Sequence, residues 1–150
     1  MTAGTTDNTT PAKARAHVLI VDDDELVRMT AREVFERVGL RVSVATNGID
    51  AISELGKEPA DLVILDVLMP EKEGIETLIQ IKREYPNAKV MVISSGGRKQ
   101  IEDFLIIAQR FGADAVLKKP IKPSVLLSHA SQLLWGDAAL PAEPKWKSVK

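Results

Sequence analysis

Five short apolar runs, each followed by a stretch with helical spacing, constrain this chain more than any other feature. The runs are His17-Val18-Leu19-Ile20-Val21, Arg41-Val42-Ser43-Val44-Ala45, Leu62-Val63-Ile64-Leu65, Lys89-Val90-Met91-Val92-Ile93 and Ala115-Val116-Leu117. A short run such as Leu62 to Leu65, apolar without alternation, describes a strand buried on both faces, as in a parallel sheet. Between the runs, apolar residues recur at helical spacing. Val27, Ala31, Val34, Phe35 and Val38 precede Gly39, and Ile49, Ile52 and Leu55 follow an Asn47-Gly48 turn and close at Gly56. Ile75, Leu78, Ile79 and Ile81 stop near Tyr85-Pro86-Asn87, and Ile101, Phe104, Leu105 and Ala108 run towards Gly112. Leu126, Leu127, Ala130, Leu133 and Leu134 follow Pro123. Each set is one stripe of an amphipathic helix, with glycine past the end and proline in a first turn as punctuation. Parallel strands joined through helices bury both faces of the sheet. The expected fold is α/β, a doubly wound five-stranded parallel sheet flanked by five helices.

Composition sets the limits. At 150 residues, 45% hydrophobic and 27% charged, the chain can build one full core. That core is expected over 16–135. Residues 1–15, small and polar with Pro11, read as a disordered tail, and 136–150, Pro- and Ala-rich with Lys145, Lys147 and Lys150 around Trp146, as a flexible one. Lys and Arg total 20 against 21 Asp and Glu, which leaves no overall field to recruit nucleic acid or an anionic membrane. Cysteine is absent, and no run approaches a secretion signal or a membrane span. The expected location is the cytoplasm. With no output domain in view, direct DNA binding is not expected and another molecule should read the outcome.

Chemistry gathers at the carboxyl ends of the strands, where open α/β sheets bind ligands. The first run ends on Asp22 and Asp23, the third on Asp66, the fourth on Ser94 and the fifth at Lys119. Each residue alone has an ordinary explanation, as a helix cap, a turn residue or a solvated amine. Together they differ. Carboxylates on one rim repel by about 4 kcal/mol per pair at ~4 Å and an effective dielectric near 20, so a cation should sit among them. Carboxylates with carbonyls and waters suit Mg²⁺, which keeps waters for a phosphate. Acids, a hydroxyl and an amine on one rim describe a phosphoryl-transfer site.

These motifs resemble the receiver domain of two-component response regulators. The matching stretches are Val21-Asp22-Asp23-Asp24, Leu65-Asp66-Val67-Leu68-Met69-Pro70 with Gly74, Val92-Ile93-Ser94-Ser95-Gly96, and Gly112 through Lys118-Lys119-Pro120. The resemblance spans about residues 16 to 135. It implies a flavodoxin-like three-layer sandwich with strand order 2-1-3-4-5. It implies Asp66 as the phosphoacceptor, supplied by a phosphohistidine on a histidine kinase or a histidine phosphotransfer protein. It makes Asp23 a direct Mg²⁺ ligand and Asp22 a ligand mainly through water, with Asp66 and the Leu68 carbonyl completing the set. Ser94 and Lys119 would bond phosphoryl oxygens, and the Lys119-Pro120 bond would be cis. A stand-alone regulator of this kind catalyses only its own phosphorylation and dephosphorylation, and it signals through protein-protein binding.

Two departures from the family pattern stand out. Where the family often carries an aromatic, three residues before the conserved lysine, this chain has Val116, so any switch must work through the loop after Ser94 and the fourth helix. Leu68 and Gly96, beside the acceptor, cannot position a water with a side chain. Ile106 and Ile107 lie outside the buried stripe of the fourth helix, either as a widened core face or as part of a docking surface formed with the fifth strand and fifth helix. That surface would take a downstream target, with homodimer formation on phosphorylation left open. One enzyme alternative exists. Val21-Asp22-Asp23-Asp24-Glu25-Leu26 is similar to the signature of haloacid dehalogenase-like phosphatases with Asp22 as nucleophile, but Leu26 departs from it and the surroundings of Asp66 and Lys119 go unexplained.

Overall fold

In a computed structural model of the chain, the described residues are 16–67, 71–94 and 98–136, with side chains described at all of these except 71–73, 98–101, 104 and 105. Strands and helices alternate. They run β1 His17–Val21, α1 Glu25–Glu36, β2 Arg41–Ala45, α2 Gly48–Lys57, β3 Leu62–Asp66, α3 Glu71–Glu84, β4 Lys89–Ser94, α4 Arg98–Arg110, β5 Ala115–Lys118 and α5 Pro123–Trp135. All strand pairs are parallel, in the order β2-β1-β3-β4-β5. The expected fold and order are both present.

The two-residue period of a strand sorts the core into two layers. Leu19, Val21, Val63, Leu65, Val90 and Val92 point to one face, where Ala51, Leu55, Leu78, Ile81 and Ala108 cover them from α2, α3 and α4. Val18, Ile20, Leu62, Ile64, Met91 and Ile93 point to the other, under Ala31, Val34 and Phe35 of α1 and Leu126, Leu127 and Ala130 of α5. Every residue of β1 and β3 is buried, which is why their sequences read as continuous rather than alternating. Gly39, past the end of α1, has φ +91°, the left-handed conformation that glycine adopts without a Cβ penalty.

The second helix begins earlier and turns differently from the sequence reading. Asn47 is its N-cap, with the side-chain oxygen accepting the Asp50 N–H at 2.8 Å, so Asn47-Gly48 starts a helix rather than forming a free turn. Its buried residues are Gly48, Ala51 and Leu55, while Ile49 is 82% exposed and does not belong to the stripe. Gly56 lies inside the helix, which is capped at Glu58. Gly48 lets α2 approach α3, since a Cβ there would fall on the Thr77 hydroxyl.

The pole of the sheet opposite the strand carboxyl ends is closed by hydrogen bonds. His17, the first residue of β1 and 2% exposed, has Nδ1 3.0 Å from the Pro59 carbonyl and Nε2 2.7 Å from Ser43 Oγ. Its backbone N–H donates to Asp61 Oδ2 at 2.8 Å, and the Asp61 N–H donates back to the His17 carbonyl at 2.8 Å. Asp114 Oδ2 likewise accepts from the Val90 N–H at 2.8 Å and from Lys82 Nζ at 3.0 Å.

Gly74 sets the approach of α3 to the end of β3. A Cβ at this position would stand 2.8 Å from Val67 Cγ1, closer than real Cβ atoms approach, and 3.2 Å from Val67 Cα, tighter than most. Gly74→Ala is therefore expected to lower unfolding free energy by about 1–3 kcal/mol despite alanine's better helix propensity. Adding Val67→Ala removes the Cβ branches and should restore part of that loss. Urea denaturation of the three variants checks this, and a neutral or stabilising Gly74→Ala would contradict the packing.

Candidate functional site

The strand order makes β1 and β3 neighbours although β2 lies between them in the chain, and the crevice at this reversal is where a doubly wound sheet binds its ligand. Alternation then decides which side chains meet there. Asp22 continues the parity of Val18 and Ile20, Asp66 that of Leu62 and Ile64, and Lys119 that of Ala115 and Leu117, all in the α1/α5 layer. Ser94 continues the parity of Val90 and Val92, in the other layer.

The geometry matches this parity. Lys119 Nζ lies 3.1 Å from Asp22 Oδ2 and 3.3 Å from Asp66 Oδ2. The two carboxylates are 4% and 2% exposed and the lysine 20%. Burial draws the Lys119 ammonium down, but the hydrogen bond to Asp22 and the charges of Asp66 and Asp22 together outweigh it and hold the group above its ordinary 10.5. Lys119 thus remains a cation between two acids. Lys118, one residue earlier, is exposed.

Backbone contacts hold the charged groups in place. The Lys119 N–H donates to the Ser94 carbonyl at 2.8 Å, tying the end of β5 to the end of β4, and the Lys119-Pro120 peptide is cis, as expected. Ser94 itself is buried. Val67 N–H donates to the Ile93 carbonyl at 3.0 Å, which carries the β3–β4 pairing one residue past Asp66.

Two contributors escaped the sequence reading. Asp24 is the N-cap of α1, with Oδ1 accepting from Leu26 N–H at 2.9 Å, while its own N–H donates to Asp22 Oδ1 at 2.9 Å. One residue therefore starts the helix and aims the Asp22 carboxylate. The signal was an Asp before an amphipathic stripe, an ordinary cap pattern. Arg28 Nη1 donates to the Asp22 carbonyl at 2.7 Å, and no spacing rule singled it out.

Asp22, Asp23 and Asp66 can each offer one carboxylate oxygen, and these oxygens lie within 4.8 Å of one another, with Asp23 exposed to water. An all-oxygen set with one ligand open to solvent fits a hard divalent cation such as Mg²⁺. Leu68, whose carbonyl was expected to complete the set, lies outside the described residues, as do Ser95 and Gly96. Val116 is half-buried and packs against the layer under α2, α3 and α4. On α4, Ile106 is 59% and Ile107 41% exposed, which rules out the widened core face.

A doubly wound 2-1-3-4-5 sheet with an acid cluster and a lysine at its reversal defines a class, and comparison with known proteins identifies the family. Residues 18–131 match the model of the response regulator receiver domain, and the chain belongs to that family. It is 36% identical over 108 residues to the chemotaxis protein CheY of Thermotoga maritima, covering 71% of this chain and 88% of that protein. It is 33% identical over 118 residues to the response regulator SaeR of Staphylococcus aureus, covering 79% of this chain but only 50% of SaeR. A CheY-like receiver domain structure from Methanospirillum hungatei superposes with a TM-score of 0.73 at 25% identity, covering 80% of this chain and 94% of that one. The chain is thus a phosphoacceptor signalling domain of two-component systems. The phosphatase alternative finds no support in these matches. Among the described residues no helix is long and apolar enough to cross a membrane.

The charge balance at the rim is measurable without any ligand. Lys119→Met leaves the Asp22 and Asp66 carboxylates facing each other. In buffer containing a metal chelator this should lower unfolding free energy by about 1–3 kcal/mol, discounted for the partial exposure of the lysine. Asp66→Asn in the same chain should recover most of the loss, a coupling that a double-mutant cycle by chemical denaturation reads directly.

Proposed function

We propose that Asp66 is the phosphoacceptor and that the chain takes a phosphoryl group from a phosphohistidine on a histidine kinase or histidine phosphotransfer protein. The observation that carries this is the buried Asp66 carboxylate, paired with Lys119 Nζ at 3.3 Å and clustered with Asp22 and Asp23. An Asp66 oxygen forms the new bond to phosphorus as the nitrogen–phosphorus bond of the donor breaks. The chain needs no general base for this step, because a carboxylate at neutral pH is already ionised. It needs positive charge around the transferring group.

Lys119 supplies one such charge from a fixed position, and Ser94 a hydroxyl to a phosphoryl oxygen. Asp22, Asp23 and Asp66 would hold Mg²⁺, with the Leu68 carbonyl as a further ligand. A bound Mg²⁺ would neutralise phosphoryl oxygens and fix their orientation. Asp24 and Arg28 act on Asp22, through its carboxylate and its carbonyl respectively. The reaction is the chain's own phosphorylation and dephosphorylation, in the cytoplasm, by a receiver core over 16–135.

The readout is proposed to be a protein partner on the face formed by α4, β5 and α5, where Ile106, Ile107 and Phe111 are exposed. With Val116 packed in the core layer, the switch is proposed to run through the loop after Ser94 and α4 rather than through an aromatic rotor.

Incubation with Mg²⁺ and a small acyl phosphate should add one phosphoryl group, located by peptide mass spectrometry at Asp66. Asp66→Asn or a chelator should abolish it, and Ser94→Ala should slow it by about ten-fold or more, as loss of a charge-stabilising donor does. Label at Asp22, or label surviving in Asp66→Asn, would overturn the assignment. For the docking face, Ile106→Glu should weaken capture of the cognate downstream protein at least about ten-fold, as loss of a buried interface anchor does, while leaving Asp66 labelling unchanged.

A further inference from the structure

An apolar cavity of about 330 Å³ opens beside the site, between α1 and α5, and the mechanism uses almost none of its wall. Its lining includes the buried Asp22 and Asp66 and the half-buried Lys119 as well as the exposed Leu26, Thr30 and Pro123. Leu26 is 70% exposed, an unusual state for a leucine over an apolar hollow. A second hollow of about 210 Å³, lined by Thr30, Glu33, Val34, Arg37 and Pro123, shares three residues with the first and continues it along the α1/α5 seam.

We propose that the cavity is the seat of Trp146, carried there by residues 137–150 of the same chain. Length permits it. α5 ends at Trp135 and is capped at Gly136, at the far end from Pro123; a 13-residue helix is about 20 Å long, whereas the roughly ten residues from Gly136 to Trp146 reach about 33 Å when extended. The segment can double back along the seam and reach the cavity mouth. Charge directs it. Trp146 stands between Lys145 and Lys147, and the mouth residue Leu26 is preceded by Asp23, Asp24 and Glu25, all exposed. A tryptophan flanked by two ammonium groups is thus complementary to the α1 side of the mouth with its three carboxylates, while Lys122 beside Pro123 steers the ammonium groups away from the α5 side and Arg37 away from the second hollow. Residues 1–15, the other candidate segment, contain no aromatic residue to fill the cavity.

This seating goes beyond the phosphoacceptor reading and does not rest on it, because the test reads the position of Trp146 without any phosphorylation.

Trp135→Phe leaves Trp146 as the single tryptophan. In that full-length chain, Trp146 emission is expected to be blue-shifted and acrylamide quenching several-fold weaker than in the same chain unfolded in urea. Thr30→Arg at the mouth, or Lys145→Glu with Lys147→Glu, should return quenching to the unfolded value with unchanged circular dichroism. Trp146 as accessible as in urea overturns the proposal, as does protection that survives Thr30→Arg. Protection that rises with protein concentration overturns it too, by placing the segment on a second copy.

Discussion

The ammonium of Lys119 between the carboxylates of Asp22 and Asp66 is the interaction on which the rest of the rim depends. Two carboxylates this deeply buried repel each other strongly unless a cation stands between them, because the low-dielectric interior magnifies their repulsion. The lysine balances them in part. With Asp23 beside them the cluster holds three carboxylates against one ammonium, an oxygen-rich set of the kind that suits a hard divalent cation. The tie from the Lys119 N–H to the Ser94 carbonyl keeps the cation from drifting, so charge balance and backbone pairing are one device.

The cluster follows from elementary chain geometry. A sheet whose order doubles back at β1 and β3 brings two strand ends together that are distant in sequence, and the two-residue period points their terminal residues into one layer. Nothing about Asp22 or Asp66 individually makes them a pair. The preceding apolar residues, by insisting on burial, fix the direction in which each carboxylate emerges. The close passage of α3 over Val67, possible only because residue 74 has no Cβ, holds the end of β3 down just where Asp66 leaves it.

The strands and the rim residues were legible because burial on both faces writes continuous apolar runs, and because ligands gather where such runs end. The second helix was misread for a physical reason. Asn-Gly is the common signature of a tight turn, but Asn is also an N-cap, and the competition was decided by the 2.8 Å bond to Asp50 and by the fit of Gly48 against Thr77. Ile49 then fell on the solvent side, where a hydrophobic residue looks, in sequence, the same as a buried one. Asp24 stands in the sequence only as a member of the Val21-Asp22-Asp23-Asp24 motif, and Arg28 reaches the Asp22 carbonyl through a long side chain that no periodicity describes. The cavity between α1 and α5 arises from how two helices sit on the sheet, a tertiary property with no local signature.

His17 gives the molecule a second character. Its ring and backbone engage Pro59, Ser43 and Asp61 at one pole, and every one of those groups is matched to a partner of suitable polarity. The opposite pole concentrates like charge. The sheet therefore divides its polar groups by end, with matched hydrogen-bonded pairs where the strands begin and acids with a lysine where they finish.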